Sequence, residues 1–205
     1  MMNKWEEHFK NAQEKFKNHR AKLVQDGERI TVIDWRNADG RSDYYINFIV
    51  DKKRGSLIVS GDLGDSIATW HNPLTIGNLK SYIYKDIGYY MSKFQCTSDR
   101  YFYEEDHVFE CLLDDLQIEC MEDYIAYSEF DDYEDFEKNV KEEICNSIRG
   151  DEFIPTDRLY EIVTDIYPDA WECLHNCGAQ VHPRVYLWAI GFNMACDQLI
   201  ERALI

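Results

Sequence analysis

No run of apolar residues in this chain approaches the ~18 consecutive positions that a membrane-spanning helix needs. The opening MMNKWEEHFKNAQEKFKNHR is too polar for a secretory leader. Together these absences lead to the expectation of a cytoplasmic protein with no membrane partner. The seven cysteines (96, 111, 120, 145, 173, 177 and 196) contain no CxxC, and they are odd in number and widely spaced. They read as reduced core thiols and not as a disulfide framework. Repeats, low-complexity tracts and Gly/Ser linkers are missing too, so 205 residues make one domain or two small ones. Basic residues are scarce in one stretch above all. Residues 104–143 hold 17 Asp and Glu against 2 Lys, a net charge of −15, whereas residues 1–100 hold 13 against 16, a net of +3. A block this concentrated reads as a directed field more than as a solubility coat. It repels nucleic acid and anionic membrane and attracts basic proteins.

What is present suggests an α+β protein. Trp5, Phe9, Ala12 and Phe16 recur at helical spacing and predict an amphipathic helix that ends near QDG, residues 25–27. RITVIDWR, YYINFIVD and SLIVSGD are β-rich and separated by turn residues, which predicts a three-stranded antiparallel meander. DSIATWHNP reads as a turn-like or helical link. LTIGNLKSYIYKDIGYYMSKF reads as one helix capped by Thr75, and QCTSDRYFY as a short strand or connector. Two acidic helices are expected at 104–123 and 131–148, with Phe109, Leu112, Leu113, Leu116 and Cys120 inward on the first and Tyr133, Phe136, Val140 and Ile144 on the second. A helix between Thr156 and Pro168 follows, and then an apolar C-terminal helix with Pro183 in its first turn. The expected division is 1–103, a helix, the meander and a further helix, and 104–205, an acidic and mostly helical half.

Few motifs carry chemistry. Cys173, His175, Cys177 and His182 are zinc-ligating types, but the spacing C-x-H-x-C-x4-H fits no common structural site. They read better as core cysteines beside surface histidines, so no metal is expected. SGDLGDS, residues 60–66, lacks the Lys-Ser/Thr of a phosphate loop and carries two aspartates, so it reads as a turn. The six histidines and seven cysteines permit nucleophilic pairings, but no elbow such as GxSxG is present. Asp34, Asp39, Asp43 and Asp62, near the meander turns, are the one acid cluster that merits a test as a magnesium-dependent site. No cofactor is expected, and the chain reads as a binding protein and not an enzyme.

The acidic block itself is the strongest feature. Forty helical residues at net −15 place about one charge per 4 Å of helix, close to the ~3.4 Å spacing along one nucleic-acid strand. Glu104, Glu110, Asp114, Asp115 and Glu122 point away from the apolar stripe of the first helix. Asp131, Glu134, Asp135 and Glu142 do so on the second. Tyr124 and Tyr127 sit between the helices, where they either staple the turn or anchor an interface. Glu134–Lys138 and Glu137–Lys141 have the four-residue spacing that stabilises a helix from within and softens its field. These outward residues are the expected contact surface for a basic protein or nucleoprotein complex.

The runs DWRNADGRSDYYINFIVD, GSLIVSGDLGD and YIYKDIGYYMSKFQCTSDRYFYEED resemble stretches of small acidic proteins from phages and prophages of Gram-positive bacteria, over roughly residues 30–106. That group is similar to the anti-CRISPR class, which includes inhibitors of Cas9, some of them DNA mimics. The resemblance implies a phage-encoded protein in the bacterial host cytoplasm that binds a CRISPR effector stoichiometrically. The resemblance carries over no catalytic residue, and the acidic face opposes direct nucleic-acid binding. The alternatives are a metal-dependent nuclease or hydrolase, and a host-takeover adaptor for a basic protein.

Overall fold

The computed structural model describes residues 4–118 and 129–205, which fall into two compact units. One unit is made of residues 1–100 with 182–205, and the other of residues 101–181. The class is α+β, as expected, but the sheet of the first unit has six strands where a meander of three was anticipated.

In the first unit α1 (Lys4–Phe16) leads into β1 (His19–Asp26), β2 (Ile30–Asn37), β3 (Ile46–Asp51), β4 (Ser56–Gly61) and β5 (Ser66–Thr69). Then α2 (Ile76–Lys85) and α3 (Ile87–Met91) precede β6 (Phe94–Thr97). The sheet is antiparallel throughout, in sequence order β1 to β6. The period of two buries Ile33, Trp35, Phe48, Val50, Leu57, Val59 and Ala68 on one face.

Three local expectations are corrected here. The first helix stops at Phe16 and does not run on to QDG, because from His19 the chain pairs with β2 and turns His19 and Ala21 inward. Arg20, Lys22 and Gln25 favour helix in isolation, and the sheet pairing overrides them. DSIATWHNP holds a strand, β5, paired on both edges. The long helix predicted after Thr75 breaks at Asp86. With φ −153° this residue ends α2 and caps α3, its carboxylate accepting from Tyr89 N at 2.9 Å. Thr75 does cap α2, with its hydroxyl accepting from Asn78 N at 3.1 Å.

In the second unit β7 (Tyr101–Phe102) precedes α4 (Glu105–Asp115). After residues 119–128 come α5 (Tyr133–Ser147), the small hairpin β8 (Ile148–Arg149) and β9 (Glu152–Phe153), α6 (Asp157–Ile166), α7 (Ala170–Leu174) and β10 (Gln180–Val181). β7 pairs antiparallel with β10, which brings the two ends of the unit together. The core is Val108, Phe109 and Leu112 of α4, Phe136, Val140 and Ile144 of α5, Leu159, Ile162 and Val163 of α6, and Ala170, Cys173 and Leu174 of α7. The first acidic helix is shorter than the predicted 104–123. It ends at Asp115, and Gln117 takes a left-handed φ of 57°. The second, predicted at 131–148, is capped by Asp132, which accepts from Asp135 N at 2.8 Å.

The chain then returns to the first unit as α8 (Pro183–Glu201), whereas the expectation was one acidic, mostly helical region over 104–205. Val185, Trp188, Phe192, Cys196 and Leu199 are buried as anticipated, and so are Tyr186, Ala189, Ile190 and Ala195. A helix apolar nearly all round needs cover on several sides. It packs against α1, α2 and the strands β1 to β3. Among the described residues no helix is long and apolar enough to cross a membrane.

Candidate functional site

The division into units sharpens the charge pattern. Residues 101–181 hold 24 Asp and Glu against 4 Lys and Arg, a net charge of −20. The other 124 residues hold 15 against 18, a net of +3. One folded unit thus carries more than the whole excess of the chain.

Helix periodicity places the acids. With Val108, Phe109 and Leu112 inward, Glu110, Asp114 and Asp115 project outward from α4. With Phe136, Val140 and Ile144 inward, Glu134, Asp135 and Glu142 project from α5. Glu104 and Asp131, just outside the two helices, are exposed as well. None of these eight takes part in an ion pair among the described residues. Glu104 accepts from Gln180 Nε2 at 3.1 Å, and Asp135 accepts from Asn139 Nδ2 at 3.0 Å. Glu122, Tyr124 and Tyr127, also expected at the contact surface, lie outside the described residues.

Other acids in the unit serve the fold. Glu105 and Asp106 occupy the first turn of α4, where the helix dipole favours negative charge. Glu137 pairs with Lys141 at 3.0 Å, as its spacing suggested, and the same lysine reaches Asp106 at 2.8 Å. Arg158 pairs with Glu129 and Glu161. Glu143 accepts from the Thr156 hydroxyl, and Ser147 Oγ accepts from Thr156 N at 3.1 Å, so the cap of α6 is tied to the end of α5. Thr156 Oγ1 in turn accepts from Leu159 N at 3.1 Å.

Sequence reasoning missed a group of exposed aromatics on the same unit. Tyr160, Tyr167 and Trp171 are 45, 38 and 59% exposed, set among Glu161, Asp165, Asp169 and Glu172. Glu172, burial and Asp169 push the Tyr167 hydroxyl above its usual titration range, Glu172 having the largest effect. The available signal was positional. Leu159, Ile162 and Val163 fill the inner face of α6, which leaves Tyr160 outside it.

The zinc-type residues do not assemble. Cys173 and Cys177 are buried, whereas His175 is exposed. Burial pushes the Cys177 thiol up to about 12 and raises Cys173 as well, which keeps both protonated and apolar in character. Cys177 Sγ lies 3.6 Å from Val108 O. His182 belongs to the first unit, where its Nδ1 accepts from Arg184 N at 3.1 Å as the cap of α8. Another Cys and His pair does meet, with Cys111 Sγ 3.7 Å from His107 Nε2 along α4. Burial raises the Cys111 thiol, and Asp115 and Asp114 add to it, which is opposite to activation.

The meander-side aspartates are occupied with local structure. Asp34 accepts from Tyr45 Oη at 3.1 Å and Asn47 Nδ2 at 2.7 Å and pairs with Arg36. Asp39 and Asp43 both pair with Arg41 across their turn. Asp62 accepts from Tyr44 N at 2.8 Å. The SGDLGDS segment is the expected turn, with Gly61 and Gly64 at φ 140° and 87°.

The chain matches no protein-family model, no curated protein and no solved structure.

Proposed function

We propose that this protein is a stoichiometric inhibitor whose acidic unit, residues 101–181, occupies a basic nucleic-acid channel of its target. The single observation that carries the reading is the segregation of charge, with −20 on one folded unit and +3 on the rest. A disordered acidic tail would lose much of its ordering entropy on binding. Here the outward carboxylates stand on helices held by Phe109, Leu112, Phe136 and Val140, so the array is preorganised. Such a surface steers a basic partner by long-range attraction and competes with DNA or RNA for the same lysines and arginines. Tyr160, Tyr167 and Trp171 supply the aromatic anchors that acids alone lack. The resemblance of residues 30–106 to phage and prophage proteins supports a bacterial nucleic-acid-dependent defence effector as the class of target, with Cas9 the member to test.

The test titrates the protein into a Cas9–guide complex and follows binding and cleavage of target DNA. Both are expected to stop near one equivalent. Replacing Asp114, Asp115, Asp131 and Asp135 together with Lys, all of them exposed and free of ion pairs, is expected to abolish inhibition and leave the fold intact. Persistence of target binding and cleavage at excess protein would reject Cas9 as the target. Full inhibition by the charge-reversed protein would reject the acidic surface as the contact.

A further inference from the structure

In the first unit α8 packs on the sheet face that carries Phe48, with Phe192 against the Phe48 ring. On the other face Val32, Ile49, Ile58, Ile67 and Cys96 fall in one cross-strand row through β2 to β6. Two cavities of about 560 and 390 Å³ lie along this row, and Ile58 and Ile67 line both. They form one groove with a polarity gradient. Lys53, Arg54 and His71, with the hydroxyls of Ser56 and Thr69, gather at one end. Val59, Cys96 and Thr97 stand at the other, with the Asp65 carboxylate at its edge, so an anion belongs at the basic end.

The basic end is a constructed feature. His71 has a left-handed φ of 60°, which costs an L residue energy unless its surroundings impose it. The segment around it is pinned to the β3–β4 turn by Trp70 N donating to Gly55 O and Leu74 N donating to Lys52 O, both at 2.8 Å. Gly55, at φ 66°, is pressed against Asn72, whose carbonyl oxygen would lie 1.8 Å from any added Cβ. The result holds His71 beside Arg54, and neither side chain has a partner among the described residues. Lys53 is paired only with the exposed Glu28. The one carboxylate among the residues lining this end, Asp51, is already satisfied by Arg29 and by the amides of Lys53 and Arg54.

We propose that this groove binds a small phosphate monoester with an apolar body, the phosphate held by Lys53, Arg54 and His71 and the body laid over Ile58 and Ile67. Arg and Lys donate charge-assisted hydrogen bonds to phosphate, and Ser56 and Thr69 add hydroxyl donors. The combined size lies within the range of small-molecule sites. A net charge of −17 on the chain disfavours a long polyanion but weakly opposes a ligand of charge −2. The groove is confined to the first unit and does not depend on what the acidic unit binds.

The test uses adenosine 5′-monophosphate, dodecyl phosphate, adenosine and orthophosphate as probes in calorimetric titrations of the full chain. A base-bearing or an aliphatic monophosphate is expected to bind, with adenosine and orthophosphate each weaker by roughly tenfold or more. Arg54→Ala should weaken the monophosphate by a similar factor. His71→Gly removes the ring at a φ that glycine adopts freely, and it should weaken binding while the fold is retained. The bound ligand should also protect Cys96 from maleimide and leave Cys145, exposed on the other unit, fully reactive. Three results would overturn the proposal: no binding of either monophosphate at millimolar concentration, orthophosphate binding as tightly as the monoesters, or unchanged affinity in Arg54→Ala.

Discussion

Lys141 Nζ lies 2.8 Å from Asp106 Oδ1, which ties α5 to the first turn of α4 across 35 residues of sequence. The same ammonium reaches Glu137 at 3.0 Å and stands 5.0 Å from the centre of the Phe109 ring. In a unit with 24 acids and 4 bases, this cation serves the fold more than the surface. Hydrogen bonds to Asp106 and then Glu137 push its pKa up. The folded value lies above the unfolded one. The contribution is therefore complete below about pH 10 and lost only as pH climbs through the folded value. Lys141→Met keeps the aliphatic stem and removes the charge. It should cost about 0.5–1 kcal/mol in urea unfolding near neutral pH. Binding to a basic partner should be equal or tighter, because the surface becomes more negative.

His19 gives the first unit a pH dependence in the opposite direction. It is 1% exposed and lies between Phe16 and Trp35, with ring centres at 5.0 and 5.4 Å. Its Nε2 donates to Tyr44 O at 3.2 Å, and Nδ1 has no partner among the described residues. Burial penalises a charged ring here and lowers the pKa, outweighing the backbone of Tyr44 and Asp43, which favours the protonated form. Stability is then fully present above the unfolded value of about 6.5. It declines as pH falls toward the folded value, at up to ~1.4 kcal/mol per pH unit. His19→Phe should flatten that decline between about pH 5 and 7 in chemical unfolding monitored by tryptophan fluorescence. An unchanged slope would assign the decline to other groups.

The acidic helices could be read from sequence because their signal is local. Apolar residues at three- and four-residue spacing put Phe136, Val140 and Ile144 on one side and the carboxylates on the other. The strands β2 to β4 were legible for the same reason. β1 was not, because as an edge strand it keeps Arg20, Lys22, Val24 and Gln25 exposed, and only His19 and Ala21 show the alternation. β5 is four residues of small or modest side chains. The return of α8 to the first unit depends on contacts far apart in the chain, which no local pattern encodes. Tyr160 was legible in principle, because Leu159, Ile162 and Val163 claim the inner face of α6, but the exposure of Tyr167 and Trp171 beyond that helix depends on tertiary packing.

Self-repulsion should make the acidic unit salt-sensitive. A net −20 on 81 residues opposes compaction, and added salt screens it beyond about one Debye length. In calorimetric scans the transition of residues 101–181 should rise by several degrees between low and moderate salt. The transition of the +3 unit should move little. Partner binding should respond in the opposite sense and weaken over the same range. A binding constant indifferent to salt would show that the aromatics, and not the carboxylates, dominate the contact.

Two glycines of the acidic unit offer a controlled test of how α4 is held. Gly150 and Gly178 have nearly the same left-handed φ, 63° and 64°. A Cβ on Gly150 would meet nothing within 4 Å, whereas one on Gly178 would lie 2.6 Å from Val108 Cα and 3.0 Å from Val108 N. Gly150→Ala therefore carries only the conformational cost, about 1 kcal/mol. Gly178→Ala adds a clash with the backbone of a core helix that cannot retreat without opening the contacts of Val108 and Leu112. That variant should lose ~3 kcal/mol or more, the scale of overpacking added to backbone strain. Urea unfolding of both variants, followed by Trp171 fluorescence as the probe on this unit, separates the two costs. Equal losses would mean that Val108 yields easily, and α4 would then be a loosely seated platform for the acidic surface.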